Sequence, residues 1–167
     1  MSGMAIRDAR EGDFSAILAL NDSEVRYTSA MDLLRLRHLD DLATHHRVVD
    51  AGGTVAAFLL AMKEGANYAN PNYEWFAARY GTFLYVDRIV VGAAYQGSGF
   101  GRALYDDLFA HAKSLGIDVI ACEYNLVPPN EPSRRFHDAF GFREVGSQWL
   151  NDGTKHVSMQ IALAGHR

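Results

Sequence analysis

Gln96-Gly97-Ser98-Gly99-Phe100-Gly101-Arg102 is the stretch of this chain with the clearest chemical content. It follows the apolar run Ile89-Val90-Val91 and opens a segment with helical periodicity. Glycines at alternating positions let the backbone turn tightly and aim several N–H donors at one point, and the positive end of a helix dipole adds to them. Such a turn suits a pyrophosphate. The dinucleotide fingerprint fails on spacing, because the sixth residue counted from Gly97 is Arg102 rather than glycine. A P-loop fails as well, since no Lys-Ser or Lys-Thr pair follows the glycines. A glycine-rich strand-to-helix turn that binds nothing would look the same in isolation.

A second stretch removes that isolation: Asn130-Glu131-Pro132-Ser133-Arg134-Arg135-Phe136-His137-Asp138-Ala139-Phe140-Gly141-Phe142. The pair resembles the GNAT superfamily of acyl-CoA-dependent N-acyltransferases. Gln96, Gly99 and Gly101 match its Arg/Gln-x-x-Gly-x-Gly/Ala motif, and the second stretch matches its helix-to-strand motif of an Asn, a small residue, an aromatic pair and Gly-Phe. The resemblance implies an α/β fold built on a mixed, mostly antiparallel sheet with helices on both faces. Its fourth and fifth strands, here residues 82–91 and 117–124, splay into a notch that admits the pantetheine arm of acetyl-CoA, the implied acyl donor. Strand-edge groups that would be costly to leave unpaired then bond the pantetheine amides. The implied cofactor-binding residues are Ile89, Val90 and Val91, with backbone contacts at Ile89 and Val91, then Gln96, Gly97, Ser98, Gly99, Phe100, Gly101 and Arg102, and finally Asn130 and Ser133. Arg102, Arg134 and Arg135 could meet cofactor phosphates, although each suits a solvated helix face better.

The implied reaction is attack of a neutral amine on a thioester. An alkyl amine is mostly protonated at neutral pH, so a base must take its proton, and the departing thiolate benefits from a donor. Asp87 and Glu123 lie on the notch strands and are the candidate bases, though Asp87 could equally pair with Arg88. Alternation places Glu123 on the face opposite Cys122 and Tyr124. Where the family commonly carries a Tyr that donates to the leaving sulfur, this chain has His137, whose imidazole could donate or accept near neutral pH or simply pack. Tyr124 is a second candidate donor. Cys122, in mid-strand, reads as a small core residue rather than a nucleophile.

The elements needed to position these groups follow from hydrophobic periodicity. Residues 5–8 suit a first strand, Asp13 and Asp32 suit N-caps of two helices, and residues 47–50 and 54–62 form a hairpin around Gly52-Gly53. Residues 100–115 form a helix stopped at Gly116. A short helix runs from Ser133 to Gly141, and residues 142–147 and 156–162 form a last pair of strands. Residues 63–81 read as a long loop, yet the segment holds Tyr68, Tyr73, Trp75, Phe76 and Tyr80, too aromatic for a plain linker. Tyr73, Trp75 and Phe76, with Tyr27, are expected to wall an acceptor pocket, the alternatives being a homodimer contact or a cap on the core.

The 167 residues, 49% hydrophobic, suit one domain spanning 1–167. No apolar run is long enough to span a bilayer, Met1-Ser2-Gly3-Met4 is no secretory leader, and the single Cys122 cannot form an internal disulfide, so a cytoplasmic protein is expected. A net charge of -4 argues against a nucleic-acid partner, and the seven His residues form no metal-binding pattern. The sequence therefore points to an acetyl-CoA-dependent N-acetyltransferase acting on a primary amine of a small molecule or amino-acid-like compound. The competing reading is a catalytically silent acyl-CoA-binding or interaction module.

Overall fold

Segments with alternating apolar residues become strands and segments with helical spacing become helices. The computed structural model describes residues 3–25 and 28–166. In chain order these give β1 (Met4–Asp8), α1 (Phe14–Ser23), α2 (Leu33–Leu42), β2 (His45–Ala51), β3 (Thr54–Lys63) and α3 (Pro71–Ala77). They continue with β4 (Leu84–Val91), α4 (Phe100–Ser114), β5 (Val119–Val127), α5 (Glu131–Ala139), β6 (Arg143–Leu150) and β7 (Lys155–Leu163). Among the described residues the strands form one seven-stranded sheet in the order β1-β2-β3-β4-β5-β7-β6. Every neighbouring pair is antiparallel except β4 and β5, which run parallel.

Both faces are covered. On one, Phe14 and Ile17 of α1, Leu36 and Leu39 of α2, and Tyr73 and Phe76 of α3 pack against Phe58, Leu60, Tyr85 and Val90. On the other, Leu104, Tyr105, Leu108, Phe109 and Ala112 of α4 pack against Ala57, Leu59, Leu84 and Val86. Adjacent residues in a strand serve opposite faces, and β2 shows it. His45 reaches Asp107 of α4 at 2.9 Å, whereas His46 reaches Asp40 of α2 at 2.7 Å.

The caps explain most of the boundaries. Asp32 accepts from the Arg35 amide and starts α2. At the end of α4, Gly116 takes φ +70 and the Gly116 and Ile117 amides bond the Lys113 and Ala112 carbonyls, the paired pattern that closes a helix through a left-handed residue. Asp13 departs from expectation. It immediately precedes α1, but its carboxylate accepts from Arg7 and from the Arg10 amide instead of capping the helix.

The segment 63–81 is corrected from loop to helix-bearing insertion. Asn70 accepts from the amides of Asn72 and Tyr73, and Pro71 occupies the first turn, so α3 starts where a side-chain cap and a preset φ coincide. α3 lies over the β6 edge, where an added Cβ at Gly146 would come within 2.3 Å of the Trp75 ring. Glycine is required there by close approach.

Candidate active site

The parallel β4–β5 pairing is short. Leu84 pairs with Ile120 and Tyr85 with Ala121, and beyond them the strands part. The backbone on either side of the gap is thus left with hydrogen-bonding capacity, as a notch that accepts an extended amide chain requires. Ile89, Val90 and Val91 line its β4 side; the side chains of Ile89 and Val91 pack toward α4 and α5 while Val90 joins the opposite core.

At the mouth of the gap the chain leaves β4 through the glycine turn and enters α4. Gly97 and Gly99 take φ +78 and +87, and nothing lies within 4 Å of a Cβ built on either. The turn is open space rather than a packed corner. Gln96 Nε2 donates to the Val91 carbonyl at 2.8 Å, and Ser98 Oγ to the Tyr95 carbonyl, so both side chains fix the turn itself. Phe100 lies tilted against Tyr95 with ring centroids 5.7 Å apart, and Arg102 projects exposed from the first turn of α4. The leading amides of α4 have no carbonyl within the helix to donate to, which together with its dipole makes this turn a fitting cradle for a pyrophosphate. Gly101 has a different role. A Cβ there would sit 3.2 Å from Phe136 and 3.5 Å from Val91, so this glycine admits close packing of α5 and β4. Asn130 caps α5 by accepting from the Ser133 amide at 3.2 Å.

The candidate catalytic residues are divided by the sheet. Asp87 and Glu123 face α1–α3, while Tyr124 and His137 lie together on the α4–α5 side. Asp87 follows Tyr85 onto this face by alternation, and a β-bulge then brings Arg88 to it as well: Leu60 pairs with Arg88 and Ala61 with Val86, leaving Asp87 as an extra residue. The bulge turns Asp87 and Arg88 to the same side. Arg88 Nε donates to Asp87 at 2.7 Å, and its remaining N–H groups bond Asn21 and Ser29. Tyr68 donates its hydroxyl to the other Asp87 oxygen. The ion pair foreseen as the alternative for Asp87 is therefore present and buried.

Glu123 accepts a 2.7 Å hydrogen bond from Tyr85. Burial, reinforced by the neighbouring Asp87, raises its carboxyl to about 7, against the smaller opposing influence of Tyr85, Lys155 and Arg88. A carboxyl poised there can exchange a proton near neutral pH. Tyr124, on the far side of β5, accepts from Gln160 Nε2 at 3.2 Å, and burial raises its phenol above the usual range.

Of the three roles open to His137, donor, acceptor or packing, the geometry favours packing. Its ring is 4% exposed, Nδ1 lies 2.7 Å from the Ser133 carbonyl and Nε2 lies 2.7 Å from the Tyr105 hydroxyl. A carbonyl only accepts, so Nδ1 carries the hydrogen and Nε2 accepts from Tyr105. Burial lowers the pKa and favours this neutral ring. Its one N–H is thus committed to the α5 backbone. His137→Ala is expected to cost about 2–4 kcal/mol in chemical denaturation, through a cavity and the loss of one hydrogen bond to the Tyr105 hydroxyl. Its kcat, measured where the variant is folded, is expected within about threefold of wild type; a loss of about a hundredfold would restore the donor role.

Two members of the expected acceptor wall are buried. Tyr73 is 3% exposed with its hydroxyl bonded to the Lys63 carbonyl at 2.5 Å, and Phe76 is fully buried. Both hold α3 to the sheet, as the core-capping alternative would have it. Trp75 remains partly exposed with the Arg79 guanidinium 3.7 Å from its ring centroid. Tyr27 lies outside the described residues. Tyr68, Tyr85 and Tyr105, absent from the expected site, become visible only once the bulge and the helix register bring them to it.

A parallel strand pair that opens beyond its first rungs, with a glycine turn and a helix N-terminus at its mouth, is the architecture of the GNAT acyltransferases. The sequence matches the acetyltransferase (GNAT) family over residues 5–142, and the chain belongs to that family. Solved structures agree in fold. Ard1 from Thermoplasma volcanium matches with TM-score 0.78 at 13% identity, over 96% of this chain and 97% of that one. Naa50 of Arabidopsis thaliana, solved with the bisubstrate analogue CoA-Ac-MVNAL, matches with TM-score 0.71 at 13% identity, over 95% and 97%. The yncA protein of Salmonella typhimurium, solved with its cofactor acetyl-CoA, matches with TM-score 0.69 at 20% identity, over 96% and 94%. None of the curated proteins matches the sequence. Among the described residues no helix is long and apolar enough to cross a membrane, and no cluster of His, Cys, Asp and Glu suits a metal.

Proposed function

We propose that the protein transfers an acetyl group from acetyl-CoA directly to a primary amine of a small molecule. The glycine turn at residues 96–99 and the leading amides of α4 hold the pyrophosphate, and the open edges of β4 and β5 hold the pantetheine amides. The observation that carries the reading is the geometry at the notch: β4 and β5 part beyond Tyr85 and Ala121, and Glu123, held by the Tyr85 hydroxyl at 2.7 Å, stands on the α1–α3 face beside the opening. Glu123 takes a proton from the ammonium form of the acceptor through a water. The freed amine nitrogen then bonds the thioester carbonyl carbon, the carbon–sulfur bond breaks, the thiolate takes a proton from the Tyr124 hydroxyl, and the second proton of the nitrogen passes through water to the Tyr124 phenolate, leaving neutral amide and free thiol. Asp87, paired with Arg88, fixes Tyr68, and its negative charge adds to the rise of the Glu123 carboxyl.

A panel of amines incubated with acetyl-CoA, read by thiol release and by mass of the acetylated product, tests this function. Thiol release without acetylated amine, or none with any amine, would refute it. The role of Glu123 has its own check. Tyr85→Phe removes the hydroxyl that favours the charged carboxylate, so the carboxyl moves above about 7 and the acid limb of kcat/KM shifts to higher pH by on the order of one unit. An unmoved limb would separate Glu123 from proton transfer.

A further inference from the structure

The face of the sheet that carries Glu123 also holds a cation that the fold leaves without an anion. Arg7 is paired with Asp13 and Asp50, Arg37 with Glu11, Arg47 with Asp8 and Asp107, and Arg88 with Asp87. Arg35 of α2 is half-buried and makes no ion pair among the described residues. It is nevertheless held in place. Its guanidinium lies 5.4 Å from the Tyr68 ring centroid, and Nη2 donates to the Tyr68 hydroxyl at 3.4 Å. That same hydroxyl receives Asn70 Nδ2 at 3.3 Å and donates to Asp87 on the notch strand.

A guanidinium has five N–H donors in a planar fork, and here one of them makes a single long contact. The remaining donors match the two oxygens of a carboxylate. A phosphate of the acyl donor is a poor candidate for this cation, because α2 packs on the sheet face opposite the one that α4 and its glycine turn cover.

We propose that Arg35 binds a carboxylate of the acceptor, which makes the acceptor an amino-acid-type zwitterion with its amine toward Glu123 and its carboxylate toward α2. This rests on the acetyltransferase reading above and narrows it to a substrate class. Tyr68 is the positioning residue, holding the guanidinium and tying it to Asp87.

The test compares amino acids with their carboxamides, which keep the amine and lose the anion. Two readouts are used: kcat/KM with acetyl-CoA, and calorimetric binding of each compound to CoA-saturated protein. In the wild type the carboxylate form of the best substrate is expected to exceed its carboxamide about ten- to a hundredfold. In Arg35→Gln that ratio is expected to collapse to about two, and in Arg35→Lys to be partly kept. Thermal unfolding confirms that the variants are folded. A carboxylate-to-carboxamide ratio unchanged by Arg35→Gln, in turnover or in binding, overturns the inference while leaving the acetyltransferase reading intact. Arg35-dependent binding of amino acids without any acetylation supports the inference and refutes the catalytic reading. No binding of any amino acid overturns the inference.

Discussion

Glu123→Gln is expected to lower kcat/KM about a hundredfold or more at pH 7.5, the usual loss when a general base is removed, while leaving acetyl-CoA affinity within about twofold. The same substitution carries a stability signature of opposite sign. In the fold the carboxyl is raised from 4.5 to about 7, so the folded state holds the proton more tightly than the unfolded chain does between those values. Its contribution to stability is fully present below pH 4.5 and is lost as pH rises through about 7, where a part-buried carboxylate must ionise. Gln keeps the shape and cannot ionise. The variant should therefore match or exceed the wild-type Tm at pH 8, and its Tm should depend less on pH between 5 and 8. A crippled enzyme at least as stable as its parent identifies a functional carboxylate. Wild-type turnover in Glu123→Gln would move the base elsewhere, with Asp87 the remaining acid at the notch.

The second large effect lies at the other end of the site. Acetyl-CoA at a hundredfold over its Kd should stabilise the fold by about 2.7 kcal/mol, or about 5–10 °C in Tm for a chain of this size. Gly99→Glu should abolish that shift. Because Gly99 has φ +87 and nothing within 4 Å of an added Cβ, the protein itself has room for a side chain, and the penalty to the free fold is about 1–2 kcal/mol of left-handed backbone strain. Gly99→Ala carries the same strain without the charge, so the difference between the two variants isolates the clash with the pyrophosphate. A full ligand shift in folded Gly99→Glu would place the acyl donor elsewhere. Gly101→Glu is a poorer probe, since its Cβ would press on Phe136 and lost binding would be confused with lost packing.

The legible parts of this site were those encoded locally. The glycine turn shows because alternating glycines before a helical run are one contiguous signal, and α4 with its Gly116 stop follows from periodicity and one residue at positive φ. The face of Glu123 followed from alternation alone. The β4 bulge was hidden because it depends on how Leu60 and Ala61 of β3 register against β4, which no property of Asp87 or Arg88 announces. α3 was missed for a different reason. Asn70-Pro71 was a readable start signal, but seven helical residues are too few to establish a period, and the aromatic content drew attention to a ligand instead of to the core. The surroundings of His137 were hidden because identity at a motif position says nothing about the direction a ring faces; its burial against Tyr105 depends on the packing of α5 on α4.

The short β4–β5 pairing has a mechanical consequence. Two paired positions join a four-stranded block, β1–β4, to a three-stranded block, β5–β7, so the sheet is nearly two plates meeting along a seam. Helix α4 touches β2, β3 and β4 on one plate and β5 on the other, and so splints that seam from a single side. An extended amide chain lying in the seam would act as a tongue between two grooved boards, adding a further tie to the α4 splint and the Tyr85–Glu123 hydrogen bond that already cross it.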